Sequence, residues 1–179
     1  AVALSLGLYL AEHNKGRFRN HFIEFSERPQ LIRLKGETFV DKLRYILTFD
    51  EIADTNLEAV FQLILCVAVK NKLPQKELPG KLVIISDMEF NVCVTNASET
   101  NFENARRRYE AYGYKLQVIV FWNVGSRNRK QPVTMNEQGV ALVSGVTPRL
   151  FSMIAGNELS PYKLMMETLG SERYASIVA

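Results

Sequence analysis

The sequence predicts an α/β domain built on a mostly parallel sheet. Residues 82–86 form a continuous apolar run, bounded by Pro79-Gly80 before it and Asp87 after it, which is typical of a parallel strand buried on both faces, and 116–122 is the next predicted strand. Helical patterns alternate with these strands. A short connection at 26–30 predicts an antiparallel hairpin, because a parallel crossover needs about a dozen residues. Together these features indicate a Rossmann-like sheet with an antiparallel edge hairpin and helices on both faces.

The elements follow one another without a repeat or an internal linker. A helix over 2–14 is apolar on nearly every side and is expected in the interior. Strands at 22–25 and 31–34 form the hairpin. Further helices are predicted at 38–48, 57–70 and 99–112, and further strands at 82–86, 116–122 and 140–144. Two closing helices follow: Thr147-Pro148 opens the first and Gly156 ends it, and Ser160-Pro161 opens the second and Gly170 ends it. A short extended tail is predicted at 175–179.

Three of the helices are expected to bury one face each, because their apolar residues recur at helical spacing. Cys66 lies in the second of these patterns, so a buried, reduced thiol is expected there. The predicted buried faces are Phe39, Leu43, Ile46 and Leu47; then Leu57, Val60, Phe61, Ile64, Leu65 and Ala68; then Phe102, Ala105, Tyr109 and Tyr112.

Composition limits the functional classes. The chain has 179 residues, of which 47% are hydrophobic and 23% charged, so it fits one domain with a substantial core. A net charge of +3 is too small to indicate nucleic acid by itself. Two cysteines make no disulfide framework, which favours a reducing, cytoplasmic compartment. The apolar start is too short to span a bilayer, so no membrane partner is expected.

Ligands of open α/β sheets bind beyond the carboxyl ends of the parallel strands. The polar residues expected at that edge include Ser26, Asp87, Asn123 and Ser144. Asp87 could cap the following turn or bind a hard cation through oxygen. Thr55 could offer its hydroxyl to the same cation, but it could equally be a helix N-cap, as could Asp54 and Asn56.

Two short segments resemble von Willebrand factor A domains. Ile84-Ile-Ser-Asp-Met88 is similar to the fourth-strand motif, whose aspartate belongs to a metal-ion-dependent adhesion site, and Asp54-Thr55-Asn56-Leu57 is similar to the segment that carries the metal-binding threonine. The chain also resembles cytosolic proteins of unassigned function whose von Willebrand A-like half is related to that of the Ro ribonucleoprotein autoantigen. The stretches that carry this likeness are Gly16-Arg-Phe, Phe25-Ser-Glu-Arg-Pro29, Val67-Ala-Val-Lys-Asn71, Ser86-Asp-Met-Glu-Phe90, Val120-Phe-Trp-Asn123 and Gly139-Val-Ala-Leu-Val-Ser-Gly145.

The resemblance implies a binding module with Thr55 and Asp87 as metal ligands. The family's Asp-x-Ser-x-Ser loop, which follows its first, central strand, does not occur in this sequence. Two oxygens are too few for a site that needs about five or six. We therefore expect no metal on this chain alone, Mg²⁺ or another divalent cation in the intact protein, and the missing strand upstream of Ala1. The implied partner-binding residues are Ser26, Asp54, Asn56, Glu89 and Asn123.

Three functions remain open from the residues alone. A protein-interaction domain comes first, and a ribonucleoprotein component that contacts RNA phosphates comes second. An unrecognised enzyme comes last, because no nucleophile, base and orienting group occur together; Ser160-Pro-Tyr-Lys163 matches a Ser-x-x-Lys pattern but is better explained as a helix cap. The partner and the oligomeric state are not determined. The basic residues that could form an RNA patch, or simply a solvated helix face and a surface loop, are Arg106, Arg107, Arg108, Arg127, Arg129 and Lys130.

Overall fold

The computed structural model describes residues 2–24, 28–49, 56–86, 99–125, 133–135, 140–156 and 159–172. The helices are α1 (Val2–His13), α2 (Phe39–Leu47), α3 (Leu57–Lys70), α4 (Glu99–Ala111), α5 (Pro148–Ala155) and α6 (Pro161–Leu169), with short 3₁₀ turns at Gly16–Phe18 and Gln75–Glu77. The strands are β1 (His21–Glu24), β2 (Gln30–Arg33), β3 (Lys81–Ser86), β4 (Val118–Asn123), β5 (Val133–Met135) and β6 (Val140–Ser144). The predicted tail at 175–179 lies outside the described residues.

The main sheet has the strand order β3-β4-β6-β5. Strands β3, β4 and β6 are parallel, as the apolar runs predict, and β5 is antiparallel to β6. The predicted hairpin β1–β2 is antiparallel, but it forms a separate two-stranded sheet rather than the edge of the main one. The antiparallel edge is β5 instead, which the sequence analysis missed because three residues are too few to show a strand period.

Strand β4 divides the core into two layers. Ile119 and Phe121 pack on one face against α3 and α4, together with Phe61 and Tyr109. Val120 and Trp122 pack on the other face with α5 and with α1. The alternation follows from the two-residue period of a strand, and both faces of β4 are covered, as predicted.

Strand β3 is less buried than the sequence predicts. Its residues 81–85 are half-buried, although their sequence is as apolar as that of β4. The reason is position: β4 is the neighbour of β3 in the described sheet, and no described strand pairs with its other edge. Helix α1 lies over β3 and also over β1 and α2. A Cβ added at Gly7 of this helix would lie 4.0 Å from Ile85 Cδ1.

Several helical side chains are more exposed than predicted. In α2 only Ile46 of the predicted face is fully buried, and Phe39 and Leu47 are about half exposed, because α1 covers one side of the stripe. Tyr112 lies beyond the end of α4 and is exposed. Cys66 is a free thiol on the outer side of α3, so the expected buried cysteine is wrong. Helix α1 is less interior than predicted: Leu8 and Ala11 are buried, Val2, Tyr9 and His13 are exposed, and its other residues are half-buried.

Local signals explain where the helices begin. Asn56 is the N-cap of α3, since its Oδ1 accepts the N–H of Ala59 at 3.0 Å; this selects one of the three candidate caps. Ser160 Oγ accepts the N–H of Lys163 at 3.3 Å, in agreement with the cap interpretation of the Ser-x-x-Lys pattern. Thr38 and Asp41 form a reciprocal capping box on α2. In the part of the chain that is described, no helix is both long and apolar enough to cross a membrane.

Candidate functional site

The carboxyl ends of three parallel strands lie side by side. The Cα atom of Asn123 is paired with that of Ser86 on β3 and with that of Ser144 on β6. Neighbouring strands are about 4.8 Å apart, so these three polar positions form one row across the edge of the sheet. We call this row the carboxyl-end rim.

Asn123 is held firmly within the rim. It is only 4% exposed, and its Oδ1 accepts the N–H of Gly125 at 3.0 Å, which closes the turn after β4. Its carbonyl oxygen accepts the N–H of Gly145 at 2.9 Å. The side chain of Asn123 therefore shapes the turn after β4.

A second hydrogen bond connects β4 to the segment after β6. The indole Nε1 of the fully buried Trp122 donates to the carbonyl oxygen of Gly145 at 2.8 Å. Gly145 has φ +107°, a conformation that residues with a side chain rarely adopt, and an added Cβ would also contact Leu150 at 3.5 Å. Because its N–H and its carbonyl group both bind β4, Gly145 holds the start of this segment against the end of β4.

Helix α3 is held by hydrogen bonds near both of its ends. Beyond its last turn, Tyr114 Oη, four residues before β4, donates to the carbonyl oxygen of Leu73 at 2.7 Å. Nearer its start, the Tyr109 hydroxyl of α4 donates to the carbonyl oxygen of Phe61 at 3.0 Å.

Many of the predicted site residues lie outside the described residues. These are Ser26, Asp54, Thr55, Asp87 and Glu89 of the carboxyl-end set, and Arg127, Arg129 and Lys130 of the basic set. Of the predicted partner-binding residues, the structure describes Asn56 and Asn123, and the Oδ1 atom of each is already engaged in a backbone hydrogen bond. Within the described ranges no three His, Cys, Asp or Glu side chains are arranged to hold a metal ion.

The three arginines of the predicted basic set that the structure describes lie on a helix face of mixed charge. Arg106, Arg107 and Arg108 are exposed on α4, as predicted. Arg108 Nη1 lies 2.9 Å from Glu58 Oε1 of α3, and both side chains are about half exposed. This pair draws one of the three positive charges toward a carboxylate, so it reduces what the helix offers to phosphate. Such a pair at the surface contributes little to stability.

The buried amide of Gln117 was not anticipated from the sequence. Gln117 is 5% exposed and lies close enough to the Tyr109 hydroxyl to oppose the rise in the pKa of that group, but neither its Nε2 nor its Oε1 makes a hydrogen bond of good geometry in the described structure. The Tyr109 hydroxyl donates to the carbonyl oxygen of Phe61 at 3.0 Å, and burial raises the pKa of Tyr109 well above its ordinary value. No local pattern marks Gln117, because only the packing of α3 and α4 on the sheet buries it.

Lys81 at the start of β3 binds the end of α5. Its Nζ donates to the carbonyl oxygen of Ile154 at 2.6 Å and also to that of Gly156, both at the end of α5. A cation at this place satisfies free carbonyl groups and opposes the negative end of the helix dipole. Burial lowers the pKa of Lys81. The lysine therefore joins α5 to the amino end of the sheet, opposite the rim.

Comparison with known proteins gives a family. A model described as a domain of unknown function, DUF7788, matches residues 1–168. The chain belongs to this family. It is also similar to the uncharacterized protein L728 of Acanthamoeba polyphaga mimivirus, with 31% identity over 170 residues, and the match covers 94% of this chain but only 30% of that protein. No solved structure matches.

Proposed function

We propose that this chain is a non-catalytic binding module of von Willebrand A type that contacts a protein partner through its carboxyl-end rim. The observation that supports it most is the row formed by the carboxyl ends of β3, β4 and β6. Open α/β sheets bind their ligands at this edge. The two hydrogen bonds of Gly145 to β4 hold the start of the segment after β6 in place, which suits a preformed docking surface.

The proposal includes a cation in the intact protein. Asp87 directly follows Ser86, the last residue of β3, and Thr55 directly precedes Asn56, the N-cap of α3. We propose that both candidate ligands act at the carboxyl-end rim. Carboxylate and hydroxyl oxygens suit Mg²⁺, and a loop of the Asp-x-Ser-x-Ser type would complete the ligand set.

The proposal also includes a further strand between β1 and β3, which would join the two described sheets. Helix α1 lies over both strands, although no described hydrogen-bonded ladder connects them. The free edge can be identified by residue. The carbonyl of Gly80 accepts the N–H of Val118, so the backbone groups of Leu82 and Ile84 also point toward β4, and those of Val83 and Ile85 point away from it. An apolar edge with unpaired backbone groups is costly, which favours a paired strand.

The domain is placed in a reducing, cytoplasmic setting within a longer protein. Its free thiol at Cys66 suits that compartment. The mimivirus relative extends well beyond the matched part, which fits a module that works beside other segments.

Amide hydrogen exchange tests the additional strand. In the intact protein, the N–H groups of Val83 and Ile85 should exchange slowly if a strand is paired with them. Those of Leu82 and Ile84 serve as controls, because β4 protects them in either case. Rapid exchange at Val83 and Ile85, with slow exchange at the controls, would show that no strand occupies this edge.

Cation and partner binding test the function. Mn²⁺, a spectroscopic probe for Mg²⁺ sites, should bind the intact protein, and Asp87→Asn should weaken that binding at least tenfold while changing the free energy of unfolding by about 1 kcal/mol or less. Asp41→Asn is the matched control, because Asp41 belongs to the capping box of α2. Proteins captured by the wild type and by the control but not by Asp87→Asn would be candidate partners. Unchanged Mn²⁺ binding together with a large loss of stability would instead make Asp87 a structural cap.

The same capture experiment separates the RNA alternative. If RNA were the ligand, nuclease treatment would release the captured material, and affinity would fall steeply with salt. Changing Arg127, Arg129 and Lys130 together to Ala would then abolish binding. That combination of results would replace the protein-binding proposal by the ribonucleoprotein one.

A further inference from the structure

Three segments that are far apart in the chain meet at the amino end of the main sheet, opposite the rim. The segments are 14–18, 70–78 and 113–117. Arg17 Nε lies 3.1 Å from Glu77 Oε2, which joins the first segment to the second. The Oε1 atom of Gln75 accepts the N–H of Lys115 at 2.7 Å, which joins the second segment to the third. We call the surface that these three segments form the amino-end surface.

The amino-end surface is strongly positive. Its six cationic side chains are all exposed, and they are Lys15, Arg17, Lys70, Lys72, Lys76 and Lys115. Within these three segments the one carboxylate is Glu77, which is paired with Arg17. This surface is therefore more positive than the whole chain, whose net charge is +3. A clustered basic face of this kind is what a nucleic-acid-binding protein presents to phosphates.

Helix ends explain only part of this cluster. Lys70 is the last residue of α3 and Lys72 follows closely, and cations there oppose the negative end of the helix dipole. That effect falls off beyond the last helical turn. Lys15, Lys76 and Lys115 lie outside every α-helix, so the helix dipole gives no reason for their charge.

The chemistry of the amino-end surface suits a chain of phosphates better than a protein or a membrane. Five of its six cations are lysines, whose compact charge binds phosphate without a fixed geometry. Lysine is depleted at protein–protein interfaces. A membrane would need apolar side chains that can insert, whereas Phe18, Leu73 and Leu78 of these segments are at most 6% exposed.

An exposed aromatic ring adjoins the lysines. Tyr112 is 62% exposed, and its Cα atom lies three residues from that of Lys115, which limits their separation to about 11 Å. The turn between them is held in place, because the N–H of Tyr114 donates to the carbonyl oxygen of Tyr109 at 2.9 Å. Aromatic rings beside a basic surface stack on unpaired bases, so this ring favours a single strand over a duplex.

We propose that the amino-end surface binds single-stranded nucleic acid. Lys15, Lys76 and Lys115 contact the phosphates, and Tyr112 stacks on a base. Phosphate contacts and stacking carry little sequence information, so the binding is independent of sequence. The inference does not depend on the proposed function, because this surface and the rim lie at opposite ends of the sheet.

Fluorescence anisotropy with a labelled oligouridine RNA of about 20 nucleotides measures the binding to the intact protein. The triple variant Lys15→Gln/Lys76→Gln/Lys115→Gln should bind at least about tenfold more weakly, because three phosphate contacts are lost. The slope of log affinity against log salt concentration should become shallower by about 2, since each contact with a single strand contributes about 0.7. The melting temperature should not change, because all three side chains are exposed.

A second triple variant is the matched control. Arg44→Gln/Arg149→Gln/Lys163→Gln removes the same charge from exposed positions on α2, α5 and α6. It should bind the RNA nearly as tightly as the wild type, because attraction between exposed charges is screened beyond about 8 Å at physiological salt. Equal weakening by both triple variants would show that total charge, and not this surface, attracts the RNA, and would overturn the proposal.

Tyr112→Ala separates stacking from charge. It should weaken the binding of oligouridine about fivefold or more and leave the salt slope unchanged, because a ring makes no phosphate contact. Unchanged affinity would overturn the assignment of a single strand. Competition by polyglutamate as effective as that by oligouridine would indicate an acidic protein instead. Binding to phosphatidylserine vesicles without binding to the RNA would indicate a membrane. Either of these last two results would also overturn the proposal.

Discussion

Strands β3 and β4 are neighbours in one sheet and have similar apolar sequences, yet they differ in burial. Ile119, Val120, Phe121 and Trp122 of β4 are at most 2% exposed, whereas 81–85 of β3 are half-buried. Strand β4 has a parallel neighbour on each side, and β3 has one described neighbour. An apolar run in the sequence predicts a strand that is stable when both of its faces are buried. The neighbouring strands determine how far it is buried.

The largest expected effect lies in β4. Trp122→Ala should lower the free energy of unfolding by about 3–5 kcal/mol, because it empties a fully buried site beside Phe151. Trp122→Phe should cost less, since it retains a ring and loses the hydrogen bond to Gly145. Urea unfolding measures both. A cost below about 1 kcal/mol for Trp122→Ala would contradict the closed packing of this side.

A matched pair of valines measures the difference between the two strands. Val120 and Val83 are Cα partners and lie in the same apolar cluster, but Val120 is 0% exposed and Val83 is half-buried. Val120→Ala should cost about 2 kcal/mol and Val83→Ala about half of that, because less apolar surface is removed from contact.

The valine pair also tests the proposed strand. If a strand occupies the free edge of β3 in the intact protein, the Val83→Ala cost should rise toward that of Val120→Ala. Equal costs in this chain alone would show that the edge of β3 is already covered.

A gain in stability is expected at the amino end of β4. Gln117 is buried without a hydrogen-bond partner in the described structure, so Gln117→Leu removes a desolvated amide and should stabilise the domain by about 1 kcal/mol. Gln117→Ala is the control, because it removes the amide but leaves a cavity. Thermal unfolding distinguishes them. Destabilisation by Gln117→Leu would mean that an ordered water or another group satisfies the amide.

The smallest expected effect is on the pH dependence of stability, through the carboxyl group of Asp41 at the start of α2. Hydrogen bonds from Thr38 hold the pKa of the Asp41 carboxyl below its ordinary value of 3.8. A lowered pKa in the folded state stabilises the fold above the ordinary pKa, and that stabilisation is lost as pH falls through the folded value. Asp41→Asn should therefore lose less stability than the wild type between pH 6 and pH 2.5, measured by urea unfolding. Parallel losses in both proteins would contradict the capping-box contribution.

The sequence determined the helix boundaries, because helix ends are fixed by adjacent residues. Asn56, Thr147-Pro148 and Ser160-Pro161 open α3, α5 and α6, and Gly156 and Gly170 follow the last two. It also determined the parallel strands, whose apolar runs are long enough to recognise. The hydroxyl and amide caps act within three residues, so no distant part of the chain can alter them greatly.

Only the tertiary structure decided which apolar and polar residues are covered. Cys66 and Tyr112 are exposed despite their apolar surroundings in sequence, Gln117 is buried despite its amide, and β5 becomes the sheet edge with three residues. The rim likewise depends on the register that sets Asn123 beside Ser86 and Ser144. Burial and register arise from contacts between residues that are far apart in the chain. A local sequence pattern does not show which distant residues pack against a segment.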